Sequence, residues 1–296
     1  MDQPRLAWQS KLILLLVLPA TATDVVFSAA TWTEIDPRVS FWTLVLSSLL
    51  GVLAWRTRSA TPHAAVAGTI LTASLMFSTA SLPYAPWRTG LMPVLAVLIL
   101  ASISTRLGRK RKQQLGTAEA STGRKASQVA ANIGAAVLLS FSVAQTWQID
   151  GPSLHLSTLI HAAVFIAGLA ALCEAAADTV SSELGQVLNS RPRMITTFRV
   201  AEPGTDGAIS LGGTLAGCAA AAVVAGVGAV ALRGGWIVGA LSWAGGVFGL
   251  FFDSLLGATF ERRTWINNDA VNFLSTCSAA VFAVFLLAIR ASIGLR

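Results

Sequence analysis

Nine apolar segments, each near the length needed to cross a bilayer, constrain the fold of this chain more than any other feature. About 20 apolar residues in a helix span the hydrocarbon core. Of the 296 residues, 54% are hydrophobic and only 12% are charged, which excludes an ordinary soluble domain. We therefore predict an all-α polytopic membrane protein with about nine transmembrane helices, near residues 12–30, 40–55, 63–81, 89–105, 128–148, 154–178, 208–232, 236–258 and 270–290.

The basic residues predict how these helices are oriented. If the N-terminus is cytoplasmic, 16 of the 21 Lys and Arg residues fall in cytoplasmic segments and five fall on the other side. The positive-inside rule therefore favours a chain with its N-terminus in and its C-terminus out. We expect the protein in a bacterial inner membrane with its functional site on the cytoplasmic face, and we expect membrane lipids but no nucleic acid among its partners. The oligomeric state stays open.

Ionisable residues divide the chain into three parts. Residues 1–105 carry few of them and are interpreted as an N-terminal transmembrane scaffold. Residues 106–127 form a basic cytoplasmic loop. Eight of the 14 carboxylates lie between positions 174 and 269. We therefore interpret residues 128–296 as a catalytic transmembrane region with cytoplasmic motif loops at 179–208 and 259–269.

Two of the apolar segments carry, at or near their C-terminal end, an aspartate that is followed by a hydroxyl residue, Asp178-Thr179 and Asp253-Ser254. A carboxylate at the bilayer centre costs about 2.5–3.5 kcal/mol on insertion scales, so such residues face protein or water and are usually functional. Glu174 lies four positions before Asp178 and shares its helix face. Because Mg²⁺ prefers carboxylate, water and phosphate oxygens, a pair of such aspartates would suit a divalent cation.

Three further stretches carry groups that bind anions or amide partners. The two stretches that contain arginine suit phosphates, because arginine and backbone N–H groups at a helix start both bind them. The amides of Asn267–Asn272 could bind a base, a sugar or the water shell of an ion. Each also has a plain structural alternative: a topology signal that attracts anionic lipids, a helix cap, a turn or a packing glycine. No Walker A or GxGxxG motif is present. The stretches are Arg124, Lys125, Gln128 and Asn132; the segment Arg191–Gly217; and Asn267–Asn272.

Several motifs together resemble one integral-membrane family. They are DTVSSELG at 178–185, Thr196-Thr197, PGTDG at 203–207, DSLLGAT at 253–259 and NNDAVN at 267–272. The family includes plant phytyl-phosphate kinase of the tocopherol pathway and eukaryotic transmembrane protein 19, and it is more distantly similar to dolichol kinase and CDP-archaeol synthase. The resemblance is strong from about residue 106 to 290.

The resemblance implies phosphoryl transfer from a nucleoside triphosphate, with CTP favoured, to a prenyl monophosphate such as phytyl or geranylgeranyl phosphate. It implies Mg²⁺ as the cofactor, with Asp178, Glu183 and Asp253 catalytic and with Asp178 and Asp253 on the metal. The resemblance and the residue patterns described above together predict a nucleotide and phosphate site formed by Arg124, Lys125, Arg193, Thr196, Thr197, Gly204, Thr205, Gly207, Asn268, Asp269 and Asn272. They predict a substrate site formed by Gln128, Asn132, Ser182 and Gly257.

Two other functions are compatible with the same residues. A cytidylyltransferase would attack the α-phosphorus of CTP, release pyrophosphate and leave a CDP-lipid. An ion-coupled transporter would also use paired intramembrane carboxylates. Against a transporter, no inverted repeat relates the two halves of the sequence, and the polar motifs gather on one side of the predicted membrane.

Overall fold

The computed structural model describes residues 6–118, 122–150, 155–188 and 191–294; the side chains of residues 141–150 and 155–159 are not described. The described chain is almost entirely helical. Its helices are α1 (Ala7–Ile35), α2 (Pro37–Arg56), α3 (Pro62–Ser78), α4 (Leu91–Arg106), α5 (Arg109–Gln114), α6 (Ala126–Asp150), α7 (His155–Gly185), α8 (Leu211–Ala231), α9 (Gly235–Leu256) and α10 (Asn268–Ser292). A 3₁₀ turn (Pro86–Arg88), a π turn (Gly257–Glu261) and two short strands, β1 (Arg193–Met194) and β2 (Ala208–Ile209), complete the described structure.

Each of the nine apolar segments predicted from the sequence coincides with one long helix, α1 to α4 or α6 to α10. Within the described residues, six helices are long and apolar enough to cross a membrane: α1, α2, α7, α8, α9 with its π turn, and α10. The all-α polytopic fold is thereby confirmed, whereas nine crossings stay a prediction. The basic loop differs from a plain connection, because residues 109–114 of it form the short helix α5.

Helix α7 lies at the centre of the bundle, where it packs against α4, α6, α8, α9 and α10. Its residues from Ile166 to Ala177 are all buried. Glycines let the neighbouring helices approach closely: a Cβ added to Gly217 of α8 would lie 2.7 Å from the Ala177 carbonyl oxygen, and one added to Gly249 of α9 would lie 2.5 Å from Cγ of Glu174. Small residues at helix contacts are the usual basis of such packing in membranes.

The N-terminal helices pack directly against the C-terminal ones. Helix α3 packs along α6, α1 contacts both, and α4 packs against α7. The buried Asp24 of α1 accepts hydrogen bonds from Ser74 of α3 and from Ser28. Asp24 therefore has a structural role in joining α1 to α3.

The chain before α6 is fixed to the connection between α2 and α3. The amide of Arg124 donates to the Ser59 carbonyl (3.1 Å), and the amide of Thr61 donates to the Arg124 carbonyl (3.0 Å). Gly123 has φ +84°, and a Cβ added there would lie 2.6 Å from the backbone nitrogen of Ala60. This close approach requires glycine and sets the position of Arg124 at the end of the bundle.

Candidate functional site

A polar cavity of about 910 Å³ lies at one end of the helical bundle. The C-terminal end of α7 and the N-terminal ends of α1, α6 and α10 meet there, together with residues before α6 and α10. Helix N-termini carry partial positive charge and backbone N–H donors, which favour anionic ligands. Ten of the residues proposed from the sequence line this cavity: Arg124, Lys125, Gln128, Asn132, Asp178, Ser182, Glu183, Asn268, Asp269 and Asn272.

The other proposed site residues lie outside the lining of this cavity. Among them, the exposed Arg193 guanidinium donates to the Phe198 carbonyl (2.9 Å), and the Thr205 hydroxyl donates to the Glu202 carbonyl (2.8 Å). Gly207 and Gly257 pack against each other, since a Cβ on Gly257 would lie 2.9 Å from the Gly207 nitrogen. The full set comprises Arg193, Thr196, Thr197, Gly204, Thr205, Gly207, Asp253 and Gly257. Their assigned roles stay predictions.

Three carboxyls of α7 and α9 lie close enough to repel one another: Glu174, Asp178 and Asp253. Asp178 lines the cavity, and the Arg124 guanidinium partly offsets its charge. Oε1 of Glu174 and Oδ2 of Asp253 are buried and have no hydrogen-bond partner in the part of the chain that the structure describes. A buried carboxylate oxygen without a donor is costly, so this cluster favours a cation or a proton beside it.

Glu183 is held by a lysine of the basic loop. The Lys112 ammonium pairs with Oε2 of Glu183 and also donates to the carbonyls of Ser104 (2.9 Å) and Thr105 (2.8 Å). The Thr105 hydroxyl donates to Oε1 of Glu183 (3.2 Å). Lys112 is only 1% exposed, so α5 is tied to the ends of α4 and α7. Both Glu183 oxygens therefore have partners within the protein.

Amide side chains connect α6 and α10 beside the cavity. The Asn272 amide donates to Oδ1 of Asn132 (2.8 Å), and both residues are buried. Oε1 of Gln128 accepts from the backbone N–H of Lys125 (2.7 Å), so Gln128 caps the start of α6. The Arg124 guanidinium donates to the Thr179 hydroxyl of α7 (3.3 Å).

The sequence-based interpretation missed the N-terminus of α1. Oε1 of Gln9 accepts from the backbone N–H of Asn267 (2.8 Å), and the Gln9 amide donates to the Trp265 carbonyl (3.0 Å). The Asn267 side chain donates to Ser10 Oγ (3.0 Å). Ser10 and Lys11 both line the cavity. The polar residues Gln9, Ser10 and Lys11, just before the first predicted apolar segment, could have indicated this contact. Polar residues also commonly flank membrane helices, so they did not stand out in the sequence.

Carboxylates outnumber cationic side chains on the cavity wall. The cationic residues lining it are Lys11, Arg124 and Lys125, and the acidic ones are Asp178, Glu183, Asp206, Glu261 and Asp269. Glu183 is already neutralised by Lys112. An anionic ligand that entered this cavity would therefore meet carboxylates as well as cationic groups, and a bound cation would reduce the repulsion.

No group of three or more His, Cys, Asp or Glu side chains among the described residues is arranged to hold a metal ion. Mg²⁺ does not need such a group, because it is usually bound by one or two carboxylates together with water and substrate phosphates. Asp178 on the cavity wall and the unpartnered Oδ2 of Asp253 supply oxygen ligands of the right chemistry. Oxygen donors of the type that Mg²⁺ prefers are thus present, but Asp253 lies outside the cavity lining, so a metal site shared by the two aspartates stays a prediction.

The fold and the cavity define an integral membrane protein with a polar, carboxylate-rich site at one end of a helical bundle. The chain belongs to the family described as integral membrane protein DUF92, whose model matches residues 45–280. The sequence-based assignment to this family is thereby confirmed.

Three relatives illustrate the range of the family. An uncharacterized membrane protein of Methanocaldococcus jannaschii is 36% identical over 200 residues, covering 66% of this chain and 75% of the relative. One of Synechocystis sp. is 30% identical over 237 residues, covering 75% and 79%. Protein VTE6, chloroplastic, of Arabidopsis thaliana is 27% identical over 209 residues, covering 68% and 60%. No solved structure matches the chain.

Proposed function

We propose that this protein is a membrane prenyl-phosphate kinase, which transfers the γ-phosphoryl group of a nucleoside triphosphate to a prenyl monophosphate and releases the prenyl diphosphate. CTP is the favoured donor, and phytyl or geranylgeranyl phosphate is the favoured acceptor. The observation that carries the proposal is the 910 Å³ cavity, which gathers Asp178, Arg124, Lys125 and the amides of α6 and α10 at one end of the bundle. The resemblance to the family of phytyl-phosphate kinase supports the reaction class.

The chemistry requires positioning and charge neutralisation more than covalent catalysis. An oxygen of the acceptor phosphate forms a bond to the γ-phosphorus, while the bond from that phosphorus to the β,γ-bridging oxygen breaks and the nucleoside diphosphate leaves. The nucleophile is already an anionic phosphate oxygen, so no strong general base is needed. Arg124 and Lys125 would hold phosphate oxygens, and Asn268, Asp269 and Asn272 would contact the nucleotide.

The carboxylates on the cavity wall support a metal-dependent reaction. A nucleoside triphosphate carries several negative charges, and the cavity offers more acidic than basic side chains. Asp178 and Asp253 would hold Mg²⁺, which neutralises charge on the transferring phosphoryl group when bound. Glu183, already paired with Lys112, would orient the end of α7 rather than bind the metal directly.

We further propose that the cavity opens on the cytoplasmic side, where nucleoside triphosphates are available. The division of basic residues motivates this orientation. Single cysteines at Lys110, Arg193 and Arg262 should all react with a membrane-impermeant thiol reagent only in inverted membranes or after permeabilisation. Labelling of any one of them from outside intact cells would contradict a common cytoplasmic site.

The reaction itself is tested with purified protein in detergent or nanodiscs, supplied with Mg²⁺, each of four nucleoside triphosphates and prenyl monophosphates of graded length. Mass spectrometry should detect the prenyl diphosphate and the nucleoside diphosphate in equal amounts. A nucleotidyl-lipid with pyrophosphate would instead identify a cytidylyltransferase. Ion flux in proteoliposomes without nucleotide turnover would identify a transporter.

A further inference from the structure

A second cavity, of about 490 Å³, lies among the N-terminal helices beside the polar one. Helices α2, α3, α4 and α6 form its walls, and its lining is mostly apolar. Small side chains leave the space open between these helices. Those that matter here are Ala54, Ala64, Ala65, Gly68 and Ala101. A volume of this size is typical of small-ligand sites.

The cavity is elongated along the helix axes. On α4 its lining extends from Val94 to Arg106, 12 positions apart, which corresponds to about 18 Å at the rise of an α-helix. At the deep end the lining residues are Thr72 of α3 and Val94, which are 2% and 4% exposed. A cavity of 490 Å³ whose lining runs this far along one helix has room for an extended hydrocarbon chain, and we refer to it as the channel.

The opposite end of the channel is cationic. Arg58, Arg106, Arg109 and Arg124 line it, together with hydroxyl residues of the α2–α3 connection and α4. A ligand that fills both ends must therefore combine an apolar chain with an anionic head group. That combination fits a lipid phosphate better than a plain hydrocarbon or a neutral alcohol.

The two cavities meet at shared residues. Arg124 and Asn132 line both of them. On α7, Ala175 lines the apolar channel while Asp178 and Thr179, three and four positions later on the same face, line the polar cavity. A phosphate bound at the mouth of the channel would consequently lie beside Arg124, at the boundary with the carboxylate-lined cavity.

We infer that the channel between α2, α3, α4 and α6 binds the isoprenoid tail of the acceptor and that its depth limits the length of tail accepted. The inference rests on the proposed function for the identity of the ligand, but it concerns binding and can be tested without turnover. It also gives the N-terminal helices a role in substrate selection, in place of a scaffold alone.

Gly68 of α3 is the position best suited to close the channel. It lines the cavity, and a Cβ added there would have only Val129 Cγ1 near it, at 4.0 Å, so a larger side chain would extend into open space. Gly226 of α8 offers a matched control. It is a helical glycine with nothing within 4 Å of an added Cβ, and it lies outside the channel lining. Gly68→Leu and Gly226→Leu thus make the same chemical change in two membrane helices.

The inference is tested by equilibrium binding of geranyl, farnesyl and geranylgeranyl monophosphates to the purified full chain. Native mass spectrometry detects the bound ligand. The parent and Gly226→Leu should bind geranylgeranyl monophosphate. Gly68→Leu should weaken that binding about tenfold or more while geranyl monophosphate binds as in the parent, because overpacking excludes only the longer tail. Geranylgeraniol, which lacks the phosphate, should bind the parent more weakly than its monophosphate.

The contrary outcomes separate this inference from the proposed function. If prenyl phosphates are turned over but Gly68→Leu leaves the chain-length profile unchanged, the channel assignment fails while the kinase assignment stands. If no prenyl phosphate is turned over yet tail length controls binding as described, the kinase assignment fails and the channel stands. A tightly held diacyl phospholipid that geranylgeranyl monophosphate does not displace would also overturn the channel assignment. If Gly68→Leu does not fold, Ala101→Leu narrows the channel from α4 and is measured in the same way.

Discussion

Removing the ammonium of Lys112 should destabilise the protein strongly, because this side chain satisfies three acceptors at once. Lys112 is 1% exposed and Glu183 is 14% exposed, and the ammonium also donates to the carbonyls of Ser104 and Thr105. In Lys112→Met the Glu183 carboxylate loses its countercharge and the two carbonyls lose a donor. Breaking a buried ion pair on one side costs about 3–5 kcal/mol. Since Glu183 retains some access to water, we expect about 3 kcal/mol.

The unfolding free energy of the purified protein is measured in mixed micelles, with the loss of the helical circular dichroism signal as the readout. Lys110→Met is the matched control, because Lys110 lies on the same short helix but is exposed, and it should change the unfolding free energy by less than about 0.5 kcal/mol. Lys112→Met combined with Glu183→Gln removes both charges and should recover part of the loss. Equal unfolding free energies for Lys112→Met and Lys110→Met would refute the anchoring role of the Lys112–Glu183 pair.

Two further predictions concern the carboxylate cluster and the loop before α6. Asp178→Asn and Asp253→Asn should each reduce the rate of phosphoryl transfer about a thousandfold across a Mg²⁺ titration without unfolding the protein, because each loses a charge needed at the metal. Glu174→Gln should reduce the rate less. Near-parental rates for both aspartate variants would show that these residues serve helix packing instead. Gly123→Ala should destabilise the protein more than Gly116→Ala in thermal unfolding. Both positions have positive φ, which costs about 1–2 kcal/mol for alanine, but only at Gly123 would the added Cβ meet backbone atoms. Equal losses of thermal stability in the two variants would contradict this explanation.

The helices and the acidic motifs could be predicted from the sequence, whereas the side chains that contact the acidic residues could not. Length and apolarity mark the nine segments, and the cost of intramembrane carboxylates singles out Asp178 and Asp253. By contrast, nothing in a basic run marks Lys112 as its one deeply buried member or pairs it with Glu183. That pairing depends on how α4, α5 and α7 pack.

The apolar channel could not be predicted from the sequence for a related reason. In a membrane, lipid-facing and protein-facing residues are both apolar, so hydrophobic patterning does not identify the helix faces that enclose a cavity. In the sequence, Gly68 and Ala101 resemble the ordinary small residues of membrane helices. Only the structure shows that they lie on α3 and α4 in two walls of one channel. The contact of Gln9 with Asn267, 258 positions apart, is likewise a product of tertiary packing.

Transfer of isotopic label tests the central claim most directly. Purified protein is incubated with Mg²⁺, geranylgeranyl monophosphate and CTP labelled with ³²P at either the γ- or the α-phosphorus, and the extracted lipids are separated. A prenyl-phosphate kinase must place the γ-label, and none of the α-label, in a lipid that comigrates with geranylgeranyl diphosphate. Appearance of the α-label in the lipid, or of neither label with any nucleoside triphosphate, would contradict the assignment.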